Sequence, residues 1–179
     1  EFLDRAMYVC PDCGLAAFYS QGQIIRCTKC GWEIKYLPTK EFSGDFQFPY
    51  MLDWYTYQEN YINNLDTLAL TDAPIIRDTC NLYQVALYSK KQLLAEGVEL
   101  ALYGDRIAID EGTARECALL HEDTDVVTVL GRNKLNIYHG KQVYQFKGGK
   151  RFNALKFVHI YHRHRNISRG DIHGKFLGL

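Results

Sequence analysis

The sequence predicts a mainly β chain in three parts: an N-terminal four-cysteine ribbon, a linking helix, and a bent β-barrel of about seven strands capped by a C-terminal helix. Three observations carry this. Two Cys-x-x-Cys-Gly knuckles, Cys10-Pro-Asp-Cys13-Gly and Cys27-Thr-Lys-Cys30-Gly, stand close together near the start. Apolar residues then recur at helical spacing after Pro49. From about residue 80, short alternating segments separated by Gly, Asn and Asp lead to one closing amphipathic stretch.

Residues 1–40 form the ribbon. Strand-like pieces, Leu15 to Tyr19 and Gln23 to Cys27, flank the turn Ser20-Gln21-Gly22, and a third runs from Trp32 to Leu37. A knuckle sets two sulfurs on one side, and the glycine after it lets the backbone turn tightly. Cys10, Cys13, Cys27 and Cys30 thus supply four soft ligands for one tetrahedral ion, a structural Zn2+. With every ligand a thiolate, no position is left for water, so the metal is structural rather than catalytic.

Residues 41–79 are a connector holding a helix over about 49–65. Pro49 suits a first turn, and Met51, Leu52, Trp54, Tyr55, Gln58, Tyr61, Ile62 and Leu65 share the helical period. Residues 80–179 carry the strands. These are Tyr83 to Tyr88, Gln92 to Ala95, Val98 to Tyr103, Arg106 to Ile109, Cys117 to Leu120, Val126 to Leu130, Leu135 to Tyr138 and Val143 to Phe146. Gly104-Asp105 is a hairpin turn. Residues 151–165 read as a helix with Phe152, Leu155, Val158, His159 and His162 on one side, followed by a basic tail. About seven strands and then one helix is the element order of a PH/GRAM-like barrel, in which the helix plugs one open end.

The chain is 179 residues long, 47% apolar and 23% charged, within the range of globular domains. No apolar run reaches the ~20 residues of a membrane-spanning helix. The start, Glu1 to Arg5, lacks the basic-then-apolar order of a signal peptide and an initiator methionine, and is read as a cut from something longer. Net charge is zero but polarised: residues 1–140 hold 12 Lys/Arg against 20 Asp/Glu, and residues 141–179 hold 9 against one. The basic end either meets an anionic partner or pairs with the acidic body. Cys80 and Cys117 read as unpaired buried thiols, and free thiols beside a zinc site point to a reducing, cytoplasmic setting.

A second constellation is basic: Lys147-Gly148-Gly149-Lys150-Arg151, with Lys156, Arg163 and Arg165 beyond. Glycine-rich backbone beside cations can cradle phosphate, and Lys147, Lys150, Arg151, Arg163 and Arg165 are the candidate anion contacts. The P-loop spacing is missing, and a plain strand-to-helix turn with solvated lysines explains the same residues. His159 and His162 share a helix face, which reads as packing before it reads as metal binding. His121 and Asp125 have no nucleophile beside them in the sequence, and no catalytic centre or cofactor loop is evident. The ribbon's charge is only weakly positive, which disfavours nucleic acid.

Four stretches carry a resemblance: DRAMYVCPDCGLAAF, IKYLPTKEFSGDFQF, LGRNKLNIYHGKQVYQFKGGKRFNALKFVHIYHR and the ending KFLGL. Together they resemble the C-terminal region of clostridial lysophospholipid acyltransferases, the 1-acylglycerol-3-phosphate acyltransferases. The resemblance implies a non-catalytic tail of an enzyme of phospholipid synthesis. That family's His-x-x-x-x-Asp signature belongs to an N-terminal domain outside this sequence, and His121-x-x-x-Asp125 is one residue too short to stand for it. The partners so implied are the parent's acyltransferase domain and an anionic membrane surface, with the chain at the inner face of the cell membrane. A nucleic-acid-binding or protein-interaction ribbon is the alternative.

Overall fold

A computed structural model describes residues 2–86 and 90–175. The ribbon opens with a two-stranded hairpin, β1 (Val9–Cys10) and β2 (Gly14–Leu15). An antiparallel three-stranded sheet follows, β3 (Phe18–Gln21), β4 (Ile24–Cys27) and β5 (Glu33–Lys35), in that spatial order. Its alternation is clean: Phe18, Ser20, Ile25 and Cys27 point inward, while Tyr19, Gln21, Ile24 and Arg26 face out.

Helix α1 spans Met51–Asn63, shorter at both ends than the 49–65 expected. Pro49 lies before the first turn, where its carbonyl accepts from Phe42 N–H, and Asp53 reaches back to the Tyr50 N–H at 3.0 Å. Trp54 is the hub of the ribbon core. Its ring meets Phe18, Trp32, Phe42 and Phe46 at centroid distances of 5.3–5.7 Å, and its indole N–H donates to the Val9 carbonyl at 2.9 Å. Residues 41–48, which read as the start of the connector, fold back over this core with Phe42, Phe46 and Phe48. Aromatic pairing supplies what the short strands cannot.

Seven antiparallel strands make the large sheet: β6 (Ile76–Val85), β7 (Gln92–Leu102), β8 (Arg106–Ile109), β9 (Cys117–Leu120), β10 (Val126–Val129), β11 (Lys134–His139) and β12 (Gln142–Gly148). Their spatial order is β10-β11-β12-β6-β7-β8-β9. A four-strand meander and a three-strand meander meet where β12 pairs with β6, which gives a curled, PH-like half-barrel. The first barrel strand begins at Ile76, ahead of the alternating region, and of the expected strand over Tyr83 to Tyr88 only residues 83–85 fall within it. Leu87 and Tyr88 lie outside the described residues, as do residues 176–179 of the ending. The two segments expected at Gln92 to Ala95 and Val98 to Tyr103 are one strand. Gly97, at φ 64°, sits beside register shifts opposite Cys80–Tyr83 and lets β7 bend without breaking.

Helix α2 is Leu155–Ser168, not 151–165. The reason is local. Asn153 Oδ1 accepts from the Leu155 N–H at 3.0 Å and starts the helix there. Residues 149–152 are a tight turn, in which Phe152 packs so close over Gly148 that a Cβ there would lie 2.2 Å from its ring. Phe157, Ile160 and Tyr161 plug the half-barrel against Leu100, Val127, Leu135 and Phe146. Each such buried side chain contributes roughly 1.5–3 kcal/mol.

Candidate metal centre and the basic seam

Residues 7–10 join the two cores. Met7 and Cys10 belong to the ribbon core, whereas Tyr8 and Val9 belong to the barrel core. Gln58 of α1, itself buried, accepts from the Tyr8 N–H at 2.7 Å and donates to the Ala6 carbonyl at 3.0 Å. The first knuckle is therefore held from behind by α1 and by the barrel.

The two knuckles converge. All four sulfurs lie within 4.8 Å of one another. Cys10 Sγ is 3.8 Å from Cys30 Sγ, and Cys13 Sγ is 3.6 Å from Cys27 Sγ. A tetrahedron with metal–sulfur bonds of ~2.3 Å has edges of ~3.8 Å. A disulfide would need ~2.05 Å. Gly14 and Gly31, at φ 76° and 79°, supply the left-handed turn after each knuckle. Cys10 and Cys27 are buried, Cys13 half-buried and Cys30 exposed. Burial raises the Cys10 and Cys13 thiols. Burial opposes ionisation of Cys27 too, but the N–H groups of Cys30 and Lys29 pointing at its sulfur bring it below the ordinary value. A soft dication is what lets four adjacent thiols lose their protons together. No other group of three or more metal-ligating side chains converges among the described residues.

The basic residues divide. Lys147 and Lys150 are exposed beside the Gly148-Gly149 turn. Arg151 reaches across to the ribbon. Its Nη1 is 2.5 Å from the fully buried Asp4 carboxylate, which also accepts from Ser20 Oγ at 2.7 Å, and its guanidinium stacks on Tyr19 at 4.2 Å. Arg163 donates to the carbonyls of Leu65 and Ile172, both at 2.8 Å, and Arg165 donates to that of Thr124 at 2.7 Å. The structure thus gathers Lys147, Lys150 and Arg151 at one turn. It sets Arg163 and Arg165 along α2, holding backbone.

Sequence reasoning passed over Lys156, which read only as part of a basic run. It is 3% exposed and ion-paired with Asp78 of β6. Burial lowers the ammonium's pKa, against the pull of Asp78. Asp4 and Ser20 were also missed, since a single acid and a single serine carry no pattern. Cys117 is exposed, not buried: it shares a face with Leu119 and pairs with Ile109, but it opens the sheet-edge strand β9 at the rim of the half-barrel. Cys80 is buried as expected, and burial pushes its thiol up to about 12. His159 is a packing residue: its Nδ1 hydrogen-bonds the Tyr8 hydroxyl, and burial pulls its pKa down to about 4. His121 packs on Tyr161 and His164, and burial takes it to about 3.

No family model matches the chain, and no curated protein matches it. Among solved structures, it is similar to the N-terminal PH domain of human ARAP2, at 13% identity and a TM-score of 0.42, over 57% of this chain and 90% of that one. It is also similar to the C-terminal domain of an unknown protein from Leishmania infantum, at 8% identity and a TM-score of 0.27, over 53% of this chain and 81% of that one. The acyltransferase resemblance therefore stands on the sequence motifs alone. The PH-like assignment stands on the strand order and the plugging helix.

Proposed function

We propose that this chain is a non-catalytic accessory module in which a zinc-clipped ribbon is mounted on a PH-like half-barrel. Its role is to position or regulate a phospholipid-synthesis acyltransferase at the inner face of the cell membrane. The single observation that carries the zinc reading is the convergence of four thiols at tetrahedral edge lengths. The closed ligand set supports a structural metal. The motif resemblance supports the acyltransferase context, and the exposed Lys147 and Lys150 beside a glycine turn support an anionic surface. No helix among the described residues is long and apolar enough to cross a membrane, so attachment would be peripheral.

The test has two arms. Metal analysis of purified protein should give one Zn2+ per chain, lost when Cys10 and Cys27 are both changed to Ser. Sedimentation with phosphatidylcholine vesicles containing phosphatidic acid should pull the protein down at low salt and release it at high salt. Zinc without vesicle binding would leave a scaffold or protein-interaction module. Tight, salt-sensitive binding to DNA or RNA without vesicle binding would replace the membrane reading with the nucleic-acid one.

A further inference from the structure

A cavity of about 480 Å³ opens at the seam between ribbon and half-barrel. It is lined by the Gly149–Asn153 turn, by Phe18 of the ribbon and Tyr8 of the junction, and at its floor by Asp78 of β6 and Lys156 of α2. Three cations line it, Lys150, Arg151 and Lys156, against two carboxylates, Asp4 and Asp78. Each carboxylate already has its own cation: Arg151 for Asp4, Lys156 for Asp78. The exposed ammonium of Lys150 is the surplus.

Lys156 is the unexpected group. It is 97% buried by its 3% exposure, and it sits in the first turn of a 14-residue helix that has no acid there. Burial and the positive end of the helix dipole both disfavour an ammonium at this place. An apolar side chain would pack the floor at lower cost. Only one of the three ammonium protons is needed for Asp78, and the cavity beside it gives the others somewhere to point.

We propose that this cavity binds one phosphate group, free or at the end of a phosphomonoester, between Lys150, Arg151 and Lys156, with the ribbon supplying one wall. The site differs from a diffuse basic surface in having a defined occupant and a buried ligand. The inference rests on the ribbon's being folded around its metal, and not on membrane attachment.

The experiment uses the zinc-loaded chain in phosphate-free buffer, titrated calorimetrically with inorganic phosphate. One-to-one, salt-weakened binding is expected. Lys150→Ala, at an exposed position, should weaken it about 5–10-fold, the loss of one charge-assisted contact. The charge-neutral pair Lys156→Met with Asp78→Asn should remove binding, with the melting temperature showing that the fold persists. If wild type takes up no phosphate, or if both variants bind as wild type does, the proposal is overturned. Vesicles with and without phosphatidic acid then identify the source. Competition by free phosphate for vesicle binding marks a lipid headgroup, and phosphate binding without vesicle binding marks a soluble phosphomonoester. Failure of the vesicle arm alone removes the membrane reading and leaves the site.

Discussion

The ribbon and the half-barrel reach stability by different routes. Strands in the ribbon are two to four residues long, and its core counts two of the four cysteines among its buried residues. A unit that small buries too little apolar surface to offset its chain entropy, so ligand bonds must add to it. The half-barrel has strands of up to 11 residues and a continuous aliphatic and aromatic core closed by α2. It needs no metal. What the contrast teaches lies at the junction, where Met7 and Cys10 face one core while Tyr8 and Val9 face the other. The first knuckle is anchored in the half-barrel, so the metal's stabilisation is not confined to the ribbon.

The largest effect should come from removing the metal. Structural zinc sites of this kind contribute about 10–16 kcal/mol of apparent binding free energy. The chain's two tryptophans, Trp32 and Trp54, both sit in the ribbon core, so tryptophan fluorescence reports the ribbon alone. Chelation should red-shift that emission and lower the half-barrel melting temperature by several degrees, the strand signal in circular dichroism persisting. An unchanged half-barrel transition would show that the two units are independent. Simultaneous loss of both signals would show one cooperative unit.

The contrast sharpens with matched core truncations. Trp54→Ala and Phe157→Ala should each cost about 3–5 kcal/mol. Trp54→Ala should weaken zinc retention, because the aromatic cluster backs both knuckles. Phe157→Ala should leave zinc affinity nearly unchanged and shift the urea midpoint of the strand signal. Equal effects on zinc from both would erase the distinction.

How legible each region was follows from the same physics. The cysteine spacing exposed the site because a tetrahedral ion imposes one local geometry and no long-range partner is needed. Most of the strands showed as short apolar runs bounded by turn residues, as in Arg106–Ile109 and Cys117–Leu120, whose bounds match the expected ones, while strict alternation of burial is confined to β3 and β4. The start of α2 did not show. Its shift from 151 to Leu155 depends on Asn153 and on the contact of Phe152 with Gly148. Nor did the seam, since Asp4 meets Arg151 across 147 residues of chain. Isolated charges become a site only after the fold has been made.

Acid should act on the half-barrel side more than on the metal-free ribbon. His121 and His159 are buried and neutral, with folded pKa values near 3 and 4. Protonation is thus favoured in the unfolded chain, near pH 6.5, and stability is constant above that value and falls as pH drops toward 4. Between pH 7 and pH 5 the two rings together should cost about 2–4 kcal/mol. His121 faces His164 and Tyr161, and His159 faces Tyr8, Tyr55 and His162. Urea midpoints of the strand signal, measured with and without chelator, separate this slope from acid release of zinc. An identical loss in His121→Asn and His159→Gln variants would remove the histidines as its source.

The smallest expected effect bears most directly on the junction. Asp4 is fully buried beside a guanidinium that is 38% exposed. Replacing Arg151 with Ala leaves the carboxylate with Ser20 Oγ as its remaining partner among the described residues, at a cost of roughly 2 kcal/mol, discounted for water reaching the vacated side. Asp4→Asn with Arg151→Ala should recover about half of this, since no charge is then stranded. The loss should appear in the tryptophan signal and the strand signal alike, because the contact belongs to both units. A loss confined to the ribbon would make Arg151 a peripheral strut, and the coupling would then run through Tyr8 and Val9 alone.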